Sequence, residues 1–301
     1  MPQPWSPDLL PSLSGHIALV TGANSGIGYE TALALAKKEA HVVLACRDVA
    51  KAEQAQGRIR RAAPAAQVDI LSLDLSRLAS VADAAALALA RYPRLDLLIN
   101  NAGVMMPPYQ QTEDGFERQF ASNYLGHFAL TGRLLPLLLA APSARVISLS
   151  SLAFRWSELH FDNLNAQKGY SRRTAYGQSK RACLVFAYEL HRRLQAAGHP
   201  IKSLAAHPGL AKTNLDQYFP ALLRPLGSLF LQPAHMGALP TLYAALEPGL
   251  AGGSFVGPGG FQQMRGYPTL VEADANAKSP AIGKQLWQAS EALSQVRYLS
   301  Q

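Results

Sequence analysis

"HIALVTGANSGIGYETALALAKKEA", residues 16–40, decides how the rest of the chain is read. It opens as an apolar β-type run, turns through three glycines and closes on a helical pattern. A run that is apolar at nearly every position, as from His16 to Gly22, suits a strand buried on both faces. Gly22, Gly26 and Gly28 follow in a G-x-x-x-G-x-G turn that starts the helix. Glycines there permit tight backbone turns and let a pyrophosphate approach the amides of the helix N-terminus. Glycine turns are common by themselves. The weight comes from this turn's place between a first strand and a first helix. Dinucleotide binding is therefore expected of Gly22, Asn24, Ser25, Gly26, Ile27 and Gly28.

Outward from this unit the same alternation continues. Apolar runs at 41–47, 67–75, 95–103, 144–151, 201–207 and 253–257 read as strands. Helical patterns fall between them, at 49–62, 78–92, 114–140 and 174–197. Strands of this kind separated by helices predict a parallel sheet covered on both faces, wound in two halves by right-handed crossovers. No internal repeat and no Gly/Ser-rich linker divides the chain, so one domain over 15–301 is expected, after a Pro-rich arm at 1–14. The segment 210–232, apolar and with two prolines, reads as a packed insertion or as a lid over a site.

Composition narrows the class. At 301 residues, 49% hydrophobic and 16% charged, the chain has the balance of a globular protein with a sizeable core. No apolar run approaches the ~18 residues of a membrane span. The opening "MPQPWSPDLLPSLSG" lacks the basic start and apolar core of a signal peptide, so a cytoplasmic protein is expected. The two cysteines, Cys46 and Cys183, make neither a disulfide framework nor a metal site and read as core residues. The net charge of +8 is scattered, with small clusters at 58–61 and 171–176, and no nucleic-acid-binding pattern accompanies it. A phosphorylated small ligand uses such charge equally well.

Two further stretches carry chemistry. At the end of the second strand, "LACRD" places Arg47 nineteen positions after Gly28. A carboxylate there accepts ribose hydroxyls of NAD, whereas arginine suits the 2′-phosphate of NADP. Arg47 favours NADP(H) over NAD(H); Asp48 beside it could take the NAD role or simply cap the next helix. In "AYGQSKRA", residues 175–182, Tyr176 and Lys180 stand one helical turn apart on one face. An ammonium stabilises a neighbouring phenolate, so such a tyrosine can pass a proton to or from an alcohol near neutral pH. Alone, the spacing also suits a packed tyrosine beside a solvated lysine.

The glycine turn "TGANSGIG", "NNAG" at 100–103 and "YGQSK" at 176–180 together resemble the short-chain dehydrogenase/reductase family, over about His16 to Gly257. "VVLACRD", "NNAGVMM", "NYLGHFALT" and "HPGLAKTNL" are similar to its retinol-dehydrogenase-like branch. The resemblance implies a Rossmann-type three-layer sandwich with a mainly seven-stranded parallel sheet. It implies an Asn-Ser-Tyr-Lys tetrad of Asn123, Ser151, Tyr176 and Lys180. In that tetrad Tyr176 is the acid/base and Lys180 tunes it and holds the nicotinamide ribose. Ser151 binds the substrate oxygen, and Asn123 anchors a proton-relay water. Cofactor contacts are implied for Asp74 and Leu75, for Asn101, Ala102 and Gly103, and for Pro208, Gly209 and Thr213.

The interval between Ser151 and Tyr176 is about twice that usual in the wider family and similar to the retinol-dehydrogenase-like branch. Phe154, Trp156 and Phe161 in it, with 210–232, point to a bulky apolar carbonyl or alcohol as substrate, although core packing would explain these aromatics too. Hydride transfer with NADP(H) on such a small molecule is the expected activity. A protochlorophyllide-reductase-like C=C reductase and a non-catalytic dinucleotide-binding regulator are the alternatives. A homo-oligomer is compatible with this reading.

Overall fold

The computed structural model describes residues 4–211 and 231–299. Thr213 and nearly all of the segment expected to form an insertion or lid lie outside the described residues.

Among the described residues, eight strands form one sheet in the order β3-β2-β1-β4-β5-β6-β7-β8. They are β1 (Ile17–Thr21), β2 (His41–Cys46), β3 (Val68–Ser72), β4 (Leu97–Asn100), β5 (Arg145–Leu149), β6 (Lys202–Ala206), β7 (Phe255–Pro258) and β8 (Pro268–Leu270). β1 is central and pairs in parallel with β2 on one side and β4 on the other, with Leu19 opposite Val43 and Leu98. The chain therefore winds outward one way from β1 to β3 and the other way from β4 onward. Such a reversal opens a crevice at the carboxyl ends of the strands.

Burial explains why the strands are apolar at every position. Along β1, Ile17 and Leu19 face one core while Ala18 and Val20 face the other. The first core is closed by α3 (Leu78–Arg91), α5 (Gly126–Arg133), α7 (Arg172–Ala196) and, after the short α9 (Ala275–Lys278), α10 (Pro280–Ser294), through Val81, Phe128, Leu184 and Trp287. The second is closed by α1 (Gly26–Lys37), α2 (Val49–Ala62) and α8 (Ala234–Leu246), through Leu35, Ile59 and Leu242. This is the expected three-layer, doubly wound architecture. Seven strands run parallel, and an eighth, β8, adds an antiparallel edge to β7 that the sequence did not announce. The N-terminal arm is anchored by Trp5, whose ring packs edge-on against Tyr243 at 5.1 Å and whose Nε1–H donates to Glu247 at 2.9 Å.

The single helix expected over 114–140 is instead three pieces. Its start shifts to α4 (Arg118–Phe120), because the buried Glu117 stays extended and its carboxylate accepts from Gln119 N–H and Phe120 N–H at 2.9 and 2.8 Å. Burial raises the Glu117 pKa above the usual carboxylate range. A π turn over Ala121–Leu125 follows. Before α6 (Leu135–Leu139) the helix breaks at Leu134, since Pro136 has no N–H to continue the ladder.

Candidate active site

A cleft of about 640 Å³ opens over the carboxyl ends of the central strands. Gly22, Asn24, Ser25, Gly26, Ile27 and Gly28 line one wall. Backbone geometry explains the glycines: Gly22 and Gly26 have φ of 66° and 56°, a region that disfavours side chains. At Gly28 a Cβ would sit 2.4 Å from Asn101 Nδ2 and 2.5 Å from the Gly22 carbonyl. The turn is thus pressed directly on the "NNAG" segment. Ser25 is the N-cap of α1 but makes no side-chain capping bond, whereas α2, α7 and α10 are capped by Asp48, Ser171 and Ser279. The first-turn amides of α1, which have no intrahelical acceptor, are therefore aimed at the cleft without a side-chain partner. Residues of this kind fit the pyrophosphate of a dinucleotide.

Arg47 is exposed at the cleft rim beside Asp48 and Lys51. Asp48 Oδ1 accepts from Lys51 N–H at 3.0 Å, and its other oxygen pairs with Lys51 Nζ at 2.9 Å. This cap and ion pair hold its pKa below the usual carboxylate range. Asp74 and Leu75 also line the cleft, and Asp74 Oδ1 accepts from Ser76 N–H at 3.0 Å. Cys46 lies beneath the glycine loop, and burial pushes its thiol up to about 11. Cys183 is likewise buried, so both cysteines belong to the interior.

Asn101, Ala102 and Gly103 form the floor. Thr21 Oγ1 accepts from Asn101 N–H and Ala102 N–H at 2.9 Å each, and Asn101 Nδ2 donates to the Thr21 carbonyl at 2.7 Å. These bonds lock the end of β1 to the turn after β4.

Across the cleft stand Ser151, Tyr176 and Lys180. Ser151 Oγ accepts from Ala153 N–H at 3.2 Å, which leaves its hydroxyl proton to be donated. Lys180 Nζ donates to the Leu149 carbonyl at 3.0 Å and lies 6.0 Å from the Tyr176 ring centre. The main chain of α7 is fixed from behind, where Ser179 Oγ donates to the Tyr176 carbonyl at 2.8 Å and Ser150 Oγ to the Lys180 carbonyl at 2.8 Å. At Gly177 a Cβ would meet the Ala153 carbonyl at 3.0 Å, so the missing side chain seats α7 against the turn after Ser151.

Asn123 does not line the cleft; it stands just behind its floor, 1% exposed. Its Oδ1 accepts from Val104 N–H at 2.7 Å, and its Nδ2 donates to the Val104 carbonyl and to Ser179 Oγ at 2.9 Å each. A Cβ on Gly103 would lie 3.1 Å from Asn123 Oδ1 and 3.4 Å from Lys180 Nζ, which places all three together. Pro208 and Gly209 close the far end. Gly209 has a φ of 64°, and its N–H donates to His207 Nδ1 at 3.2 Å.

Of the three aromatics expected at the substrate end, only Trp156 reaches the cleft, 6.1 Å from the Tyr176 ring. Phe154 points into the core beside Phe255, because in the 3₁₀ turn at Leu152–Trp156 residues two apart point about 120° away from each other. Phe161 packs against the same core. Val104, Met105, Ser122 and Leu152 line the cleft and were not anticipated. Their signal was positional only: Val104, Met105 and Leu152 directly follow parallel strands at the crevice end. Among the described residues, no three His, Cys, Asp or Glu side chains converge as a metal site. No helix among them is long and apolar enough to cross a membrane.

A family model described as short chain dehydrogenase matches residues 16–221. Human retinol dehydrogenase 13 is 39% identical over 291 residues, which cover 94% of this chain and 85% of the relative. A solved structure from Mycobacterium Paratuberculosis, described as an uncharacterized protein, is 40% identical with a TM-score of 0.82, covering 98% of this chain and 99% of that one. A short chain dehydrogenase from Shigella flexneri, solved in complex with NADP, is 26% identical with a TM-score of 0.65, covering 83% and 98%. Likeness of that length in both sequence and fold decides the matter: the chain belongs to the short-chain dehydrogenase/reductase family, resembles its retinol dehydrogenases, and is an NAD(P)-dependent oxidoreductase acting on a small molecule.

Proposed function

We propose that this protein is an NADP(H)-dependent reductase or dehydrogenase of bulky, apolar carbonyl or alcohol substrates, working through Asn123, Ser151, Tyr176 and Lys180. The reading is carried by the convergence of Tyr176, Lys180 and Ser151 on the cleft into which the uncapped end of α1 opens. A nicotinamide bound there supplies or accepts the hydride. Tyr176 gives its hydroxyl proton to the carbonyl oxygen as that oxygen gains charge, and takes it back in the other direction. Ser151 donates to the same oxygen. Lys180, with one proton on the Leu149 carbonyl, has two left for the ribose hydroxyls and for stabilising the phenolate. Asn123 holds the Val104 peptide and Ser179, and so the spacing between floor and helix.

On this reading Arg47 meets the 2′-phosphate, since the Asp48 carboxylate is already engaged by Lys51. Asp74 and Leu75 flank the adenine, and Pro208 and Gly209 the carboxamide. Trp156, Met105 and Leu152 supply the apolar wall of the substrate end. We place the activity in one domain over 15–301 of a cytoplasmic protein.

The test is NADPH oxidation against a panel of aldehydes and ketones, with Tyr176→Phe in parallel. That variant should bind NADPH normally and lose about 10²–10⁴-fold in turnover. A Tyr176→Phe enzyme that kept its turnover would remove the tyrosine from the reaction. NADPH binding without turnover on any substrate, in the unmodified protein, would favour the regulatory alternative.

A further inference from the structure

One buried imidazole joins the two walls of the cleft. His127, 3% exposed on α5, has Nδ1 2.9 Å from the Asn123 carbonyl and Nε2 2.9 Å from Thr21 Oγ1. A carbonyl only accepts, so the ring proton is on Nδ1. Nε2 then carries the lone pair, and the Thr21 hydroxyl donates to it; the competing acceptor, the Ile99 carbonyl, is farther at 3.3 Å. Both lone pairs of Thr21 Oγ1 are taken by Asn101 N–H and Ala102 N–H. A carbonyl at one ring nitrogen, and at the other a hydroxyl whose lone pairs are already taken, admit a single tautomer. Burial, with the Lys180 ammonium nearby, pushes the imidazole down to about 4, so it stays neutral at physiological pH.

We propose that His127 is a positioning residue for hydride transfer, tying the Asn123 turn to Thr21 and the Asn101–Ala102 turn so that the tyrosine side and the dinucleotide side of the cleft keep one spacing. This rests on the roles given above to Asn123, Tyr176 and Lys180. The π turn over Ala121–Leu125 is where the coupling acts: the Asn123 carbonyl in it accepts from the His127 ring and from Cys183 Sγ at 3.1 Å. The same residue's side chain grips Val104 and Ser179. A glutamine at 127 has a donor and an acceptor to repeat both bonds. A leucine has neither, and leaves the Thr21 hydroxyl free to turn to Ile99.

Nitrogen NMR of the cofactor-free protein reads the tautomer directly and needs no substrate. The Nδ1–H form, neutral from pH 5.5 to 8, is expected; the Nε2–H form, or a proton shared between both, would overturn the proposal. Kinetics then test the coupling. His127→Leu and Thr21→Val should each lower kcat about tenfold with KM little changed, and the double variant should be no worse than the weaker single. His127→Gln should stay within about twofold of the parent. Losses that multiply in the double variant, or a His127→Gln enzyme as poor as His127→Leu, would show an ordinary packing role instead. A Tyr176→Phe enzyme that kept turnover would sink the tetrad while leaving the tautomer result standing, so the two failures are distinct.

Discussion

Arg47 and Asp48 are adjacent and opposite in charge, and helix chemistry divides their tasks. Asp48 is spent on Lys51, as cap and as ion pair, while Arg47 has no ion pair among the described residues. Removing the guanidinium should therefore cost only the ligand that carries a 2′-phosphate. Arg47→Ala is expected to weaken NADPH about 10- to 100-fold, the worth of one charge-assisted contact, and to leave NADH almost unchanged. Asp48→Ala should lower the melting temperature slightly through loss of the cap, with the NADPH preference kept. Calorimetric titration of both variants with both cofactors separates these cases. Equal losses for NADPH and NADH in Arg47→Ala would make that arginine structural.

At the scale of elements, the glycine turn is pressed closely on the turn after β4. Gly28→Ala would drive a methyl to 2.4 Å from Asn101 Nδ2 and 2.5 Å from the Gly22 carbonyl. Neither can retreat, since Asn101 Nδ2 is bonded to Thr21 and the Gly22 carbonyl is backbone. Overpacking of this kind costs about 1–3 kcal/mol. Gly28→Ala should lower the thermal midpoint and abolish dinucleotide binding together. Gly57→Ala is the control: inside α2, with nothing nearer than 3.7 Å, it should stabilise slightly. A Gly28→Ala protein with normal NADPH affinity would disprove the close fit. The same contrast explains what the sequence made legible. Strands buried on both faces and periodic helices such as α2, at Val49–Ala62, are set by local pattern. The breaks in 114–140 depend on a buried Glu117 and a π turn, which tertiary contacts stabilise. β8 is three residues long and largely exposed, and α8 is apolar almost all round with Pro240 inside, so neither carries a period. In the cleft, the glycine turn, Arg47 and the Tyr176–Lys180 pair were legible as spacings, whereas Ser151 and Asn123 were singled out only through the family resemblance. Thr21 and His127 were neither, because their other partners are backbone groups that any sequence supplies and their bond to each other spans 106 residues.

Over the whole molecule, two buried imidazoles make stability depend on pH. His127 bonds Thr21 and the Asn123 carbonyl, and His207 bonds Gln263 and Gly209 N–H. Burial lowers each from 6.5 to about 4. The unfolded chain takes up these protons as pH falls below 6.5, while the fold resists until about 4. Stability contributed by the neutral rings is therefore complete above 6.5 and is lost progressively toward 4, at about 3 kcal/mol for each shift of this size. Glu117, whose pKa burial raises, works against this trend, since the fold favours its protonated form. Asp162 and Asp274, whose lysine and arginine partners lower their pKa, add their own losses only in more acidic solution. Denaturant unfolding between pH 7 and 4.5 should show stability falling as the unfolded chain takes up the two imidazole protons that the fold resists. His127→Gln keeps the hydrogen bonds without the titration, so its slope should drop by about one proton while its stability at pH 7.5 stays near the parent's. A parent protein equally stable at pH 7 and 4.5 would mean that both rings already carry a proton in the fold. The bond that the neutral His127 ring accepts from the Thr21 hydroxyl would then be confined to solutions above its titration.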